Sequence, residues 1–591
     1  MKIEEDIATT RIIFTDDDSA SVRQSVPASL HKGIGVMMQG AKYAQSFKRG
    51  VWDGYIDFYD KKTQTFPTGL LPQVVEVLHK LQQAISFQFT IEDIRPELYV
   101  TKVPPVVLHD DKADIKLYEG KFAYQQEAIN QIFQEGSGII NASTNAGKTE
   151  IAAGAIKTIL PELKRDERVL FLTNSSVIFN QTIKRLETRL QIPIGAYGGG
   201  KHSIKQVTVC TVQTIAKGLD IDPEAKVKLT AKENMTKRIA KRVAPQFMRG
   251  ANLLMAYKSY LKFFRPETKV DQQMQAILED IRDECGTDAE LGERMRQYVM
   301  DYEKIIKTKN KDAYKKHQEA IDLLESAQML IEDECHHAKS DTFYRIGMGC
   351  NNALYRIGLS GTIDKEDEMG WQRLQALFHK IIIKVSNDDL IGKGISAKPK
   401  VSIVPITVPH KIKTLKPYAE AYTQGIVTNK FRNNLIASIG SSWAVHGKAT
   451  LIIVNQIAQG EMIGDYLKHP LKGKPTDYEF LTGPESQDEK DRILNRIKSG
   501  DCLVMIATSL VDEGLDVSNF RALVMAAGGK SMRQVLQRVG RVLRKKKVGP
   551  NKCDVIDFYD EQNNFLLEHS KERIKLYKNE GFELNWVGGE K

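Results

Sequence analysis

Residues 142–149, ASTNAGKT, stand at the end of the apolar run SGIINAS and are well suited to phosphate chemistry. A strand, a loop of small residues and a helix form the context that a phosphate-binding loop requires. There, main-chain N–H groups at the helix start meet the phosphates, Lys148 reaches the β- and γ-phosphates, and the Thr149 hydroxyl ligates Mg²⁺. The usual pattern begins with glycine where this chain has Ala142, and an incidental loop before a helix is the alternative. The residues predicted to bind the nucleotide are Thr144, Asn145, Ala146, Gly147, Lys148 and Thr149.

An apolar run ends in two adjacent carboxylates in QMLIEDECHH, residues 328–337. The pattern places Asp333 and Glu334 at the carboxyl end of a buried strand. We expect Asp333 to hold Mg²⁺ through its water shell and Glu334 to orient or deprotonate the attacking water. The alternative, a solvated acidic turn, fits poorly directly after an apolar run.

A basic helical segment, QVLQRVGRVLR, occupies residues 534–544. Gln537, Arg541 and Arg544 have helical spacings of four and three, so they share one face. Arginines aimed at a γ-phosphate stabilise transition-state charge and contribute about 10³–10⁵ in rate. The alternative is an amphipathic helix on the protein surface.

Two α/β units must position these residues. Short apolar runs alternate with amphipathic stretches over 113–395 and again over 396–591, which favours parallel strands joined by helices. Residues 217–326 are charged and nearly free of Gly and Pro, which predicts a helical insertion in the first unit. Residues 1–112 have a mixed pattern typical of a small α+β accessory domain.

The three motifs resemble those of the superfamily 2 helicases and translocases of the DExH type. This resemblance implies two RecA-like domains in tandem, ATP and Mg²⁺ as cofactors, and DNA-dependent ATP hydrolysis. Further segments follow in family order: AYQQEAI, LTNSSVIFNQ, CTVQTI, GLSGTI, LIIVNQ, FLTG and ATSLVDEGLDV. In the family, GLSGTI couples the ATP site to nucleic acid. The residues implied to contact the nucleotide are Tyr124, Gln125, Gly514 and Asp516. Those implied to contact DNA are Asn174, Ser175, Gln181, Thr211, Gln213, Thr482, Gly483 and Thr508.

A narrower resemblance concerns the start of the chain. SFKRGVWDGYIDFYD, with FPTGLL after it, is similar to the N-terminal domain of the UvsW-type recombination helicases of bacteriophages. The resemblance implies a substrate of branched DNA, such as forks, D-loops or Holliday junctions, in phage recombination, repair and replication. Lys48, Arg49 and Trp52 are candidates for duplex contact, and the alternative for Trp52 is the core of a small sheet.

The net charge of +10 points to one region of the chain. Residues 226–269 hold twelve basic residues against two acids, with aromatic residues between them. Charge combined with stacking groups is typical of a nucleic-acid surface. Residues 271–325 are acidic overall, so pairing of the two halves as a helical hairpin is the alternative. The basic residues predicted to contact DNA are Lys237, Arg238, Lys241 and Arg242.

Composition excludes several classes of protein. The longest apolar runs fall short of the roughly 18–20 residues that span a bilayer, and the acidic start is unlike a signal peptide. Six dispersed cysteines without a CxxC pair indicate a reducing cytoplasm, that of the host cell if a phage encodes the chain. We therefore expect no membrane and no disulfide partner, and a monomer. An RNA helicase, a restriction-type translocating subunit and a catalytically inactive binding scaffold remain as alternatives.

Overall fold

The computed structural model describes residues 1–225, 227–250, 252–407, 412–482, 486–508, 520–529, 535, 539–540 and 551–588 of the 591. The chain forms two compact units. One joins Met1–Thr214 to Glu325–Lys591, and the other is Ile215–Leu324. Every helix among the described residues is too short or too polar to span a bilayer.

The N-terminal part is a small sheet covered by helices. Its elements are β1 (Lys2–Glu5), β2 (Thr9–Ile13), α1 (Ala20–Gly33), β3 (Val36–Met37), α2 (Gln45–Lys48), β4 (Tyr55–Ile56), β5 (Thr65–Pro67), α3 (Leu71–Gln82) and β6 (Thr90–Asp93). The strand order is β5-β2-β1-β6, with β1 antiparallel to β2 and parallel to β6. Helices α1 and α3 bury apolar stripes, such as Val26 with Leu30 and Val74 with Leu78, in the core of this part.

The first α/β domain begins with a hairpin and a series of alternating strands and helices. These are β7 (Val107–Leu108), β8 (Ile115–Lys116), α4 (Ala123–Glu135), β9 (Ser137–Ala142), α5 (Lys148–Ile159), β10 (Arg168–Thr173), α6 (Ser176–Leu190), β11 (Gly195–Gly198), β12 (Lys201–Ser203), β13 (Val207–Thr211) and α7 (Val212–Leu219). The hairpin of β7 and β8 spans the border expected at 112. Leu108 and Leu117 lie in the apolar core of the first α/β domain.

Residues Ile215–Leu324 form the helical unit. Its helices after α7 are α8 (Ala231–Arg238), α9 (Ala244–Phe247), α10 (Leu253–Phe263), α11 (Lys269–Glu284), α12 (Asp288–Lys309) and α13 (Lys311–Glu325). Reciprocal capping boxes start three of them, α8 at Thr230, α11 at Thr268 and α12 at Thr287. An apolar core that includes Leu278 and Leu291 holds the unit together.

The chain then returns to the first α/β domain and completes its sheet. The elements are β14 (Ala327–Asp333), α14 (Asp341–Gly349), β15 (Tyr355–Ser360), α15 (Glu368–Phe378), β16 (Ile381–Val385) and α16 (Asn387–Gly392). The eight strands follow the order β12-β11-β13-β10-β14-β15-β9-β16, and β12 alone is antiparallel to its neighbour. The amide of Gln372 on α15 donates to the main-chain oxygen of Ile34 at 2.8 Å, which ties the N-terminal part to this domain.

The second α/β domain has a seven-stranded sheet in the order β19-β20-β18-β21-β22-β17-β23, parallel throughout. Its elements are β17 (Lys398–Ile406), α17 (Tyr418–Tyr422), α18 (Lys430–Val445), β18 (Thr450–Val454), α19 (Ile457–Lys468), β19 (Glu479–Leu481), α20 (Gln487–Ser499), β20 (Val504–Thr508), β21 (Ala522–Met525), β22 (Lys552–Asp560), α21 (Asn564–Asn579) and β23 (Glu583–Trp586). Two parallel-sheet domains in tandem, a small α+β part and inserted helices confirm the predicted fold class.

Candidate functional site

The predicted phosphate-binding loop lies between the end of β9 and the start of α5. Gly147 has a φ of 78°, and a Cβ there would stand 2.3 Å from Nε2 of Gln125, so both the backbone and the space require glycine. The oxygen of Ala146 accepts hydrogen bonds from the Tyr124 hydroxyl at 2.7 Å and from Nε2 of Gln125 at 3.0 Å. Tyr124 and Gln125, two of the residues implied to contact the nucleotide, therefore hold the loop in place.

Lys148 connects this loop to the neighbouring strand ends. Its ammonium donates to the oxygen of Ala142 at 3.3 Å and lies 3.8 Å from Oε1 of Glu334. A Cβ on Gly361 would stand 3.5 Å from the same ammonium. Thr149 follows as the second residue of α5, half-buried at the start of the helix. The side chain predicted to reach phosphate thus lies where the segments that follow β9, β14 and β15 meet at one edge of the sheet.

The acidic pair lies at the carboxyl end of β14, which ends at Asp333. Oδ1 of Asp333 accepts the N–H of Glu334 at 3.1 Å, and Glu334 has a left-handed φ of 51° that residues other than glycine rarely adopt. Burial by itself raises the pKa of the Glu334 carboxyl, but Lys148 and His336 outweigh burial and hold that pKa well below its ordinary value. Glu334 is therefore an ionised carboxylate beside the loop.

His336 links the acidic pair to the GLSGTI segment. Its Nδ1 lies 3.3 Å from Oε2 of Glu334 and 2.9 Å from Oγ of Ser360. The Ser360 hydroxyl donates to the oxygen of Thr362 at 2.9 Å and accepts the N–H of Thr362 at 3.3 Å. With its proton given to Thr362, the hydroxyl accepts from Nδ1 of His336. A continuous line of polar contacts runs from Lys148 to Thr362.

The second α/β domain approaches the loop at Gly540, which lies within the segment 534–544. Nδ2 of Asn145 donates to the oxygen of Gly540 at 3.3 Å, and a Cβ on Gly540 would stand 2.8 Å from side-chain atoms of Thr144. The same Nδ2 reaches Oγ of Ser396 at 3.4 Å. Two predicted nucleotide-contacting residues thus face the second domain. Gly483, Gly514, Asp516, Gln537, Arg541 and Arg544 lie outside the described residues.

Two buried ion pairs support the loop 526–529 that precedes this segment. Arg432 pairs with Asp560 at 3.0 Å and Arg573 with Asp557 at 2.8 Å. Nη1 of each arginine also donates to a main-chain oxygen of 526–529, at 2.6 and 2.7 Å. Burial lowers the pKa of Arg573, but the two carboxylates outweigh it and raise that pKa. Sequence reasoning missed this set, although the acids inside the apolar run CDVIDFYD were a signal for it.

Residues implied to contact nucleic acid meet at the ends of β10 and β13, two neighbouring strands that pair Thr173 with Thr211. Nε2 of Gln213 donates to Oδ1 of Asn174 at 2.7 Å and to its main-chain oxygen at 3.1 Å. The other described residues of this set are Ser175, before α6, Gln181, exposed on α6, Thr482, after β19, and Thr508, buried at the end of β20.

The N-terminal candidates lie on and after the short helix α2. Lys48 and Arg49 are exposed, and Trp52 is half-buried. The indole N–H of Trp52 donates to the oxygen of Tyr55 at 2.7 Å. This bond closes the turn between Trp52 and Tyr55, which follows the two cations, and Trp52 is absent from the buried core of the N-terminal sheet.

Three of the four basic candidates in the helical unit have carboxylate partners. Lys237 and Lys241 both pair with Glu224, at 2.9 and 2.5 Å, and Arg238 pairs with Asp271 at 3.0 Å. These ion pairs join the segment around α8 to acidic residues of the same unit. For these side chains, the interpretation as an internally paired helical bundle fits the contacts better than a free cationic face.

The aromatic residues of the basic half divide between core and surface. Phe247 and Tyr257 are buried and pack edge-to-face at 5.0 Å, so they cannot stack on a base. Tyr260 and Phe264 are half-buried against the same core. Phe263 is exposed over 70% of its surface. Arg242 is exposed on the segment after α8.

Comparison with known proteins adds two family matches. The model of the helicase conserved C-terminal domain matches residues 432–546, and that of the type III restriction enzyme, res subunit, matches residues 120–243 and 251–365. Together they cover about three fifths of the chain. Both matches contain motifs identified above. The match in the first domain contains the phosphate-binding loop, residues 142–149, and the match in the second contains the basic segment, residues 534–544.

Several individual proteins are also similar to this chain. The ATP-dependent DNA helicase uvsW of Enterobacteria phage T4 is 26% identical over 274 residues, which are 43% of this chain and 53% of that protein. The DNA 3′-5′ translocase XPB2 of Sulfurisphaera tokodaii is 26% identical over 249 residues, 37% of this chain and 56% of that protein. The chain spans about half the length of the curated relatives it matches. The crystal structure of T4 UvsW aligns with a TM-score of 0.39 at 18% identity, over 99% of this chain and 98% of that one.

Proposed function

Because this chain belongs to the superfamily 2 helicases, we propose that it hydrolyses ATP between its two α/β domains to drive the remodelling of branched DNA. The observation that carries the proposal is the line of contacts from Lys148 through Glu334, His336 and Ser360 to Thr362. It joins the groups that would meet ATP to the GLSGTI segment, which couples ATP to nucleic acid in the family.

The first α/β domain supplies the groups that would bind the phosphates, Mg²⁺ and the attacking water. Main-chain N–H groups at the start of α5 and the Lys148 ammonium meet the phosphate charge. The Thr149 hydroxyl and the Asp333 carboxylate fit Mg²⁺, which prefers oxygen ligands and keeps water and phosphate in its remaining positions. Bound Mg²⁺ would neutralise charge developing on the phosphates. The ionised Glu334 orients the attacking water by accepting its hydrogen bond.

The second domain completes the site through the segment that contains Gly540. Its main chain already reaches Asn145 of the loop. We assign Gln537, Arg541 and Arg544 of that segment to the γ-phosphate, where arginine stabilises transition-state charge. The buried arginines Arg432 and Arg573 hold the preceding loop through hydrogen bonds to its main-chain oxygens.

Movement of DNA follows from opening and closing of the two domains. Asn174, Thr211 and Gln213 lie at one sheet edge of the first domain, and Thr482 and Thr508 follow strands of the second. Backbone contacts on both domains would advance a strand as the domains close on ATP and open after hydrolysis. On branched DNA, each broken base-pair step is worth about 1.4 kcal/mol and is replaced by a new one, so ATP supplies direction.

The test is ATP-dependent processing of a panel of duplex overhangs, forks, D-loops and Holliday junctions. We expect wild-type protein to convert the branched substrates faster than the overhangs, and Lys148→Ala to convert none. A single-stranded RNA arm separates an RNA helicase from a DNA enzyme. ATP-dependent unwinding of RNA without any conversion of branched DNA would overturn the proposed substrate.

The match to a family named for a restriction subunit favours one second candidate, a translocating subunit of a nuclease. Such a protein would share the motor but would belong to a cutting assembly. A supercoiled plasmid incubated with protein, ATP and Mg²⁺ distinguishes the two, because nicked or linear product appears only if the chain cuts DNA.

A further inference from the structure

Helix α10 of the helical unit carries an outer face of unusual composition. The chain has no acidic residue between Glu233 and Glu267, and α10 lies inside that stretch. Its exposed side chains follow one face at helical spacing. We call this face the α10 surface, and it consists of Met255, Lys258, Ser259, Lys262 and Phe263.

The inner face of α10 is fixed by its neighbours. Leu253, Tyr257 and Leu261 are buried in the core of the helical unit. The Tyr257 hydroxyl donates to the oxygen of Leu278 at 2.9 Å, and Oδ1 of Asp288 accepts the N–H of Leu254 at 2.9 Å. The opposite face is therefore held in one orientation, so a partner would meet a rigid surface.

Two large apolar side chains of the α10 surface face solvent. Phe263 is 70% exposed and Met255 is 71% exposed. Single exposed apolar residues are ordinary on protein surfaces. Here they lie on the same face as Lys258 and Lys262, and among the described residues no carboxylate forms an ion pair with either lysine. Nearby cations of the unit differ, because Lys237 and Lys241 share Glu224.

We propose that the α10 surface binds single-stranded DNA, with phosphates on Lys258 and Lys262 and a base stacked on Phe263. The inference rests on the proposed function, because forks and D-loops, two of the proposed substrates, contain single-stranded DNA. Cations next to an exposed aromatic ring form the combination that binds single strands without sequence preference. A duplex would bind this surface less tightly than a single strand, because its bases are already stacked on each other and cannot stack on Phe263.

The two lysines stand four residues apart, a spacing that brings side chains to within about 5–6 Å at Cβ on a helix. They can therefore meet phosphates of one strand together, while Phe263, next to Lys262, offers its ring to the adjoining base. The proposal therefore assigns DNA binding by the basic half to α10, whereas the sequence predicted it for the cations around α8.

The first test compares two double variants with equal change in charge. Lys258→Gln with Lys262→Gln removes the proposed phosphate contacts, and Lys237→Gln with Lys241→Gln removes two paired cations of the same unit. Binding of the full chain to a thymidine oligonucleotide is measured at several salt concentrations. We expect the first variant to reduce the slope of log K against log salt by about 1.4, since each single-strand phosphate contact contributes about 0.7. The second variant should keep the wild-type slope.

The second test addresses the ring. Phe263→Ala and Phe263→Leu should weaken binding of the oligonucleotide at least about fivefold, because stacking of one base contributes about 1–3 kcal/mol. Phe263→Trp should restore the affinity, whereas a contact that needs only apolar bulk would be kept by leucine. Binding of blunt duplex should change less than binding of the single strand in the alanine and leucine variants.

The outcomes separate this inference from the proposed function. If wild-type protein shows no DNA-stimulated ATP hydrolysis, the proposed function fails. If it does, and the α10 variants bind the oligonucleotide as wild type does, the α10 proposal alone is overturned and a protein partner becomes the occupant to seek. An equal loss in both double variants also contradicts it, because that result reflects overall charge and no particular surface.

Discussion

The nucleotide site of the first α/β domain and the basic half of the helical unit were both inferred from sequence. In the first region the structure brings the predicted residues together, whereas in the second it pairs most of the predicted cations with nearby acids. In the first, Lys148 and Glu334 are far apart in sequence and their side chains lie 3.8 Å apart. In the second, Lys237, Arg238 and Lys241 lie within five residues of one another, and each pairs with an acid of its own unit.

The difference has a physical origin. Parallel strands end at the same edge of a sheet, so a motif that follows a buried strand has a predictable place. The partner of a charged residue on a helix depends on which helix packs beside it, and periodicity does not determine that. Motifs at strand ends therefore predict a site, whereas a count of charges predicts only a region.

The largest expected effect concerns the loop itself. Lys148→Ala should lower DNA-stimulated ATP hydrolysis by about 10³-fold or more, because a half-buried cation at the γ-phosphate stabilises transition-state charge. Lys157→Ala, an exposed lysine of the same helix, is the matched control and should keep wild-type turnover. Steady-state phosphate release with circular dichroism of both variants provides the measurement. Comparable rates of ATP hydrolysis by the two variants would contradict the assignment of the ATP site to the loop that contains Lys148.

The next effect compares two Arg–Asp pairs, each at 3.0 Å. The side chains of Arg432 and Asp560 are 0% and 1% exposed, and those of Arg238 and Asp271 are 35% and 19% exposed. Arg432→Met should cost about 3–5 kcal/mol of unfolding free energy, since it leaves a buried carboxylate without its main partner. Arg238→Met should cost about 1 kcal/mol or less, because water screens that pair.

Urea unfolding followed by fluorescence measures both values. Similar costs for the two arginines would mean that the helical unit is as tightly braced as the second domain. The helical unit and the second domain would then differ in their sequence motifs but not in how strongly their ion pairs stabilise them.

The smallest effect tests the link between ATP and nucleic acid. Ser360→Ala removes the acceptor of His336 and both contacts of the hydroxyl with Thr362. Because each lost hydrogen bond is worth about 0.5–1.5 kcal/mol, DNA stimulation of ATP hydrolysis should fall at least about twofold. ATP affinity should stay unchanged, because Ser360 has no hydrogen bond with the loop 143–147. Ser137→Ala is the control, since its buried hydroxyl has no partner among the described residues. An equal loss in both variants would indicate a general effect on the sheet.

The sequence predicted the two parallel-sheet domains and the inserted helices because apolar runs of strand length and Gly-poor charged stretches have distinct patterns. It also predicted residues that meet at the loop, such as Gln125 and Lys148. It did not predict that Gln125 would hold the loop through Ala146, or that Arg573 would brace 526–529. Both depend on long-range packing that single-sequence periodicity does not contain. The rigid face of α10 was hidden for the same reason, since only the packing of Tyr257 shows which side of that helix is free.

We propose that the first and second α/β domains form an ATP-driven DNA motor. The most direct test of this proposal is the rate of ATP hydrolysis by wild type and by Glu334→Gln, with no nucleic acid, with a forked DNA and with single-stranded RNA. We predict strong stimulation of wild type by the fork, weaker stimulation by RNA, and no turnover by Glu334→Gln although it still binds ATP. Turnover by Glu334→Gln at the wild-type rate, or a wild-type rate that the fork leaves unchanged, would contradict this proposal.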